Sequence, residues 1–262
     1  MKKNTKQTYT SRERGMRSRT SYIEAAQLLK ESSHAIVFTG SGISVDSGIP
    51  TFRGKDGVWS KVDPEKVATP QAFMRDPYFV WEWYRLRINS VLKAKPNVGH
   101  RIIAKWEKEG YIKYVITQNV DNLHRAAGNQ NLIELHGNIL RIRCTECGVK
   151  RDILKPLEPG VPKCHMCGGI MRPDVVWFGE PLEPDILDKA FRIALRSDVI
   201  FVIGTSALVY PAAAIPIEAW RNGAKLIEIN PEETGISSYA EISIRDTSSN
   251  ALKIIDSELS KL

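Results

Sequence analysis

The chain has 262 residues, 42% of them hydrophobic and 26% charged, with 18 Gly and 14 Pro. This fits a globular protein of one or two domains and excludes disordered, collagen-like and disulfide-scaffold classes. The formal charge of +7 is uneven, because residues 1–20 hold seven Lys or Arg and one Glu, leaving about +1 for the rest. That basic stretch is expected to be a flexible tail, and direct nucleic-acid binding is not expected beyond it. It lacks the apolar run of a secretory signal and the large apolar residues of a transit helix, so a cytoplasmic location is expected.

In chain order, a helix is predicted from about Tyr22 to Lys30, then a buried strand from Ala35 to Phe38 that ends in Thr39-Gly40-Ser41-Gly42. Asn97 to Glu109 carries Ile102, Ile103 and Trp106 at helical spacing, with Gly110 as its stop and a strand from Tyr111 to Thr117 behind it. Leu132 to Leu135, Val199 to Ile203 and Leu226 to Ile229 read as further strands; Asp185 to Arg196, Pro211 to Arg221 and Asn250 to Leu259 read as helices. Val199 to Ile217 contains no charge over nineteen residues, enough to raise a membrane span. Gly204-Thr205-Ser206, Pro211 and Pro216 break it, so strand, turn and helix are the better reading.

This alternation predicts an α/β fold with a parallel sheet. Two stretches interrupt it: residues 54–95, aromatic and helical, and residues 140–172, rich in Cys, Gly and Pro. They are expected to pack together as a smaller module, with a cleft between it and the main domain, assembled from residues 21–53, 96–139 and 173–262.

All four cysteines fall in one pattern, Cys144-x2-Cys147 and Cys164-x2-Cys167, the spacing of a zinc ribbon. Gly148 and Gly168 after each pair permit a tight knuckle. Four thiolates close the coordination shell, which leaves no place for substrate, so the zinc is expected to be structural. His165 is read as a solvated bystander. The spacer between the pairs holds Asp152, Glu158 and three prolines, unlike a nucleic-acid-binding face.

Gly40-Ser41-Gly42 after a buried strand suggests close backbone approach to a phosphate. Val45 stands where the dehydrogenase fingerprint requires a third glycine, which disfavours a standard dehydrogenase. Strand ends in a parallel sheet converge on one edge, so Gly40, Asn119, Asp121, His136, Gly204 and Asn230 are expected to line one crevice. An imidazole there can serve as general base near neutral pH.

Over roughly residues 20–260 the chain resembles a sirtuin, an NAD-dependent protein-lysine deacylase. The resemblance rests on Gly40-Ser41-Gly42-Ile43-Ser44, Gly48-Ile49-Pro50-Thr51-Phe52-Arg53, Thr117-Gln118-Asn119-Val120-Asp121, His136-Gly137, the four cysteines, Val175-Val176-Trp177-Phe178-Gly179-Glu180, Gly204-Thr205-Ser206 and Ile229-Asn230. It implies a Rossmann-like domain beside a small domain made of a zinc ribbon and a helical module, with NAD and acyl-lysine meeting in the cleft. It implies that Gly40, Ser41, Gly42 and Ser44 lie by the cofactor phosphates, Phe52 and Arg53 on a loop over the nicotinamide ribose, and Gln118, Asn119 and Asp121 in the ribose and nicotinamide pocket. Gly204, Thr205, Ser206 and Asn230, with Ala251, would hold the adenosine half. His136 would be the general base, with Asn119 beside it in the catalytic set. Val175, Val176, Trp177, Phe178 and Gly179 would pair with the substrate backbone.

The implied reaction transfers the acyl group from lysine to ADP-ribose, releasing nicotinamide and O-acyl-ADP-ribose. The implied partners are acylated lysines of proteins, chromatin proteins among them, and no membrane. Ser41 replaces the usual Ala, and Thr51 replaces the commoner Asp, a variant similar to the branch that removes succinyl and malonyl groups. That branch carries a Tyr-x2-Arg pair; here Tyr84 and Arg87 share a helix face, and a phenol with a guanidinium suits a carboxylate. The competing readings are a mono-ADP-ribosyltransferase using NAD and a zinc-ribbon chromatin-binding module.

Overall fold

The computed structural model describes residues 11–54 and 56–262, with side chains from Thr20 onward except that of Lys55. The elements in chain order are α1 (Ser11–Glu31), β1 (Ala35–Thr39), α2 (Pro64–Val67), α3 (Pro70–Arg75), α4 (Pro77–Lys93), α5 (Val98–Lys108), β2 (Ile112–Thr117), α6 (Leu123–Ala127) and β3 (Leu132–Glu134). They continue with β4 (Gly137–Cys144), β5 (Lys150–Asp152), β6 (Met171–Val175), α7 (Pro184–Ala194), β7 (Val199–Ile203), α8 (Ala214–Arg221), β8 (Lys225–Ile229), β9 (Ile242–Ile244) and α9 (Ser248–Leu259).

The main sheet has the order β3-β2-β1-β7-β8-β9 with every neighbouring pair parallel. β1 and β7 are buried along their whole length because helices cover both faces, which is why they read as continuous apolar runs. Side chains alternate between the two cores. Val37, Phe201 and Ile203 meet α1, α5 and α9 through Leu29, Trp106 and Leu252, whereas Ile36, Phe38 and Val202 meet α7 and α8 through Ala194 and Ile215. The Trp106 and Phe201 rings stand 5.6 Å apart in the first core. Emptying the Phe201 site to Ala would cost about 3–5 kcal/mol.

A second sheet, β5-β4-β6, is antiparallel and packs with α2, α3 and α4 around a third core that includes Trp81, Ile88, Ile142 and Met171. Its helices start where the sequence supplies caps: Thr69 accepts from Ala72 N, and Asp76 accepts from Phe79 N, each with proline at the first helical position. Trp81 Nε1 donates to the Met171 carbonyl at 2.9 Å, which fixes α4 to β6.

Two expectations change. α1 begins at Ser11, so residues 11–20, expected in the tail, are helical, and the four arginines of the stretch favour it. Residues 1–10 of the expected tail lie outside the described residues. β9, three residues long, escaped prediction because so short an alternation carries little signal. No described helix is long and apolar enough to cross a membrane.

Candidate active site

The chain runs from β1 outward to β2 and β3, then returns to place β7, β8 and β9 on the other side of β1. The order therefore reverses between β1 and β7, where a ligand crevice forms. Thr39 and Ile203 are register partners at the ends of these strands. Gly40 N–H donates to the Ile203 carbonyl at 3.0 Å and Gly42 N–H to that of Gly204 at 2.8 Å. A Cβ at Gly42 would lie 2.7 Å from Gly204 Cα, and one at Gly204 would lie 2.6 Å from Ile43 N. The two turns touch backbone to backbone.

Above them opens a cleft of about 1190 Å³. That exceeds the roughly 300–1,000 Å³ of a drug-sized site, enough for a dinucleotide and a second ligand together. Gly40, Ser41, Gly42, Phe52, Arg53, Tyr84, Arg87, Gln118, Asn119, His136, residues 175–179, Gly204, Thr205, Ser206 and Asn230 line it.

Three expected residues do not. Asp121 is buried behind the cleft, accepting from Ser44 Oγ at 2.7 Å and from Leu123 N at 2.9 Å, and burial pushes its carboxyl pKa up despite those bonds. Ser44 is wholly buried as its partner. The pair props the turns from below: Asn119 Nδ2 donates to the Gly40 carbonyl at 3.0 Å and reaches Ser44 Oγ at 3.4 Å. Ala251 lies one turn inside α9 with its methyl in the core, and the cleft is reached instead by Thr247 and Ser248. The sequence reading also missed cleft residues Ala68, Trp59, Trp83, Thr234 and Gly235, which arrive by tertiary packing and carry no local motif.

His136 sits between β3 and β4 with Nδ1 2.9 Å from the Gln118 carbonyl. Nδ1–H donates there, so Nε2 carries the lone pair. Burial lowers its pKa, with the Gln118 bond opposing. Gly137 follows at φ +80, where a Cβ would strike the Asp174 carbonyl oxygen at 2.2 Å. The His136 carbonyl accepts from Val176 N at 2.9 Å, so the imidazole and the 175–179 segment are tied together. Gln118 Nε2 crosses the sheet edge to Thr205 Oγ1 at 2.8 Å.

At the far wall α4 presents Trp83, Tyr84 and Arg87. The Arg87 guanidinium lies 4.9 Å from the Phe52 ring and 4.9 Å from the Trp83 ring. Trp59 stacks on Trp83 at 5.9 Å and meets Phe52 at 5.5 Å. Burial lowers the Arg87 pKa, and no carboxylate pairs with it among the described residues. Tyr84 is buried, which pushes its phenol up to about 12, against the opposing Trp177 hydrogen bond and the charges of Arg87 and Arg172.

Away from the cleft the four cysteine sulfurs all lie within 4.8 Å of one another, with Cys144 to Cys167 at 3.5 Å and Cys147 to Cys164 at 3.6 Å. Tetrahedral zinc with bonds of about 2.3 Å places sulfurs about 3.8 Å apart, whereas a disulfide needs about 2.0 Å. Glu146 N and Met166 N donate to Cys144 Sγ and Cys164 Sγ, each at 3.4 Å, the knuckle contacts that favour thiolate. The cage fits one structural zinc ion held by Cys144, Cys147, Cys164 and Cys167. His165 is exposed and outside the cluster.

A parallel sheet with reversed order, a side-chain-free seat at the reversal and a cysteine-held module define a Rossmann-type protein that seats a dinucleotide beside a second ligand. Residues 40–211 match the Sir2 family, and the chain belongs to it. An NAD-dependent protein deacylase of Aeropyrum pernix is 55% identical over 222 residues, covering 85% of this chain and 91% of the relative. One from Pyrococcus abyssi is 50% identical over 246 residues, covering 92% and 98%. A solved Sir2 homologue in complex with NAD is 45% identical, with a TM-score of 0.87, covering 91% of this chain and 93% of that one. These relatives do not favour the ADP-ribosyltransferase or chromatin-module readings.

Proposed function

We propose that the chain is an NAD-dependent protein-lysine deacylase whose acyl pocket prefers a succinyl or malonyl group to acetyl. NAD, when bound, would supply the ribose carbon that takes the acyl oxygen as nicotinamide leaves; one water then frees the lysine amine, and the acyl group departs as O-acyl-ADP-ribose. Gly40, Gly42 and Gly204 let the two turns meet backbone to backbone beneath the position proposed for the pyrophosphate, and Thr205, Ser206 and Asn230 would border the adenosine end. Phe52 and Arg53, which line the cleft, would cover the ribose and keep water out until nicotinamide has left. Ser44 and Asp121 serve from below, holding Asn119 and the glycine turn.

His136 takes a proton from a ribose hydroxyl at Nε2. A general base must be neutral before it acts, and burial favours the neutral ring. Acylated lysines of proteins are the substrate class. Their backbone is proposed to run along residues 175–179, a reading supported by β6 being an edge strand of its sheet. A cytoplasmic location is proposed on the strength of four cysteines kept as a thiolate cage.

The acyl preference rests on one observation: Arg87 projects into the cleft without a carboxylate partner among the described residues, one helical turn from a buried phenol. Neutral acyl groups leave that cation unanswered, and a terminal carboxylate pairs with it. The test is a mass-spectrometric assay of one peptide carrying acetyl-lysine or succinyl-lysine, following nicotinamide and O-acyl-ADP-ribose. Charge-assisted hydrogen bonds contribute about 1.5–3 kcal/mol each, so Tyr84→Phe and Arg87→Met should each cut desuccinylation about tenfold to a hundredfold. Unchanged desuccinylation in both variants would sink the acyl preference and leave the deacylase reading intact.

A further inference from the structure

We propose that Trp177 is a positioning residue for acyl selectivity: its indole N–H fixes Tyr84 as a hydrogen-bond donor toward the cleft. The inference rests on the acidic-acyl reading above. An indole nitrogen only donates, whereas a phenol oxygen either donates or accepts. Trp177 Nε1 stands 2.8 Å from Tyr84 Oη, and the two residues are only 3% and 4% exposed. Tyr84 therefore accepts from Trp177. Its own proton meets no acceptor among the described residues, and the open direction is the cleft that Tyr84 and Arg87 both line. With its phenol raised to about 12, Tyr84 keeps that proton throughout the working pH range. The pocket wall thus offers a donor and a cation side by side, a pair that a carboxylate satisfies and a methyl does not.

The indole is itself held from several sides. Trp177 N donates to Glu180 Oε2 at 2.8 Å, and the Arg172 guanidinium lies 3.4 Å from the centre of the ring. Arg172 grips the Glu180 carboxylate at 2.5 and 2.8 Å and the Val175 carbonyl at 3.1 Å. Phe73 packs on the ring at 5.2 Å. Swinging the indole away from Tyr84 would pull it off Phe73 and off the guanidinium that Glu180 holds in place. Tyr84 therefore cannot recover freedom of rotation by moving Trp177. Sequence alone places Trp177 in a segment expected to pair with the peptide backbone; its bond to Tyr84, 93 residues away, is visible only in the fold.

The experiment measures kcat/KM for matched succinyl and acetyl peptides in the wild type, Trp177→Phe, Tyr84→Phe and the double variant. Trp177→Phe should lower the succinyl-to-acetyl ratio about tenfold, and adding it to Tyr84→Phe should change that ratio by less than twofold. A role in packing alone would lower both acyl rates together and would persist in the Tyr84→Phe background; that result overturns the inference. Replacing Trp177 by benzothienylalanine, which keeps the bicyclic shape and loses only the N–H, gives the same comparison where the Phe variant folds poorly. A wild-type enzyme without succinyl preference overturns the acidic-acyl reading and this inference together. A wild type that prefers succinyl, with the ratio unmoved by loss of the indole N–H, overturns the role of Trp177 alone.

Discussion

His124 lies beneath the cleft with Nε2 2.9 Å from Thr39 Oγ1, and its ring stands 4.9 Å from that of His100. The Nδ1 atoms of both rings are buried without a hydrogen-bond partner among the described residues. Burial holds the His124 pKa down to about 4, and burial with the nearby His124 and Arg101 holds His100 down to about 2. Unfolded, both would titrate near about 6.5. The unfolded chain thus binds protons that the folded chain refuses, so stability is full above about pH 6.5 and falls as the pH drops below it. Between pH 7 and pH 5 each ring should remove about 1.9 kcal/mol, and the pair about 4 kcal/mol, a large part of a typical stability of about 5–15 kcal/mol. Guanidinium unfolding at the two pH values, with zinc saturating, measures this. His124→Asn should lose about 2 kcal/mol less than the wild type over the same interval, because the His124 ring no longer takes up a proton on unfolding. Thiolate protonation would weaken metal binding in both proteins alike, so the difference between the two losses is the quantity of interest. Equal losses would refute the reasoning.

Gly204→Ala should both destabilise the protein and weaken NAD binding by more than about tenfold, because the new Cβ would lie 2.6 Å from Ile43 N at φ +60. Gly223→Ala is the control: it has φ +101 with nothing within 4 Å, so it should cost only the conformational penalty of about 1–2 kcal/mol. Calorimetric titration and thermal melts that gave the two variants the same profile would contradict a backbone-to-backbone seat. Chelation should release one zinc per chain, melt residues 140–172 and abolish deacylation, with zinc restoring both. The Trp81 contact to Met171 makes tryptophan fluorescence a direct readout, and retained emission after metal release would argue against the coupling.

The parallel sheet was legible because its buried strands are short apolar runs ending in turn residues, and the metal cage because four cysteines keep knuckle spacing. Strand ends also placed Gly40, Asn119, His136, Gly204 and Asn230 at one edge, and all five line the cleft. Edge position does not fix direction, however. Asp121 turns inward, its carboxylate committed to Leu123 N and Ser44 Oγ. Ala251 likewise turns its side chain inward: α9 opens at Ser248, so a position three residues further on faces the core. Trp59 and Trp83 could not be read as wall residues, since their stacking joins a loop to α4 and depends on how those segments pack.

The sandwich of Arg87 between Phe52 and Trp83 has a thermodynamic consequence. One guanidinium touches a ring flanking the proposed ribose position and a ring of the proposed acyl wall. Whatever free energy an acyl carboxylate gains by drawing Arg87 toward itself is taken partly from the contact with Phe52. Two ligands that share a contact in this way are linked, and the linkage is reciprocal: each changes the affinity of the other by the same factor. An acyl-group affinity for this enzyme therefore has a defined value only at a stated NAD concentration.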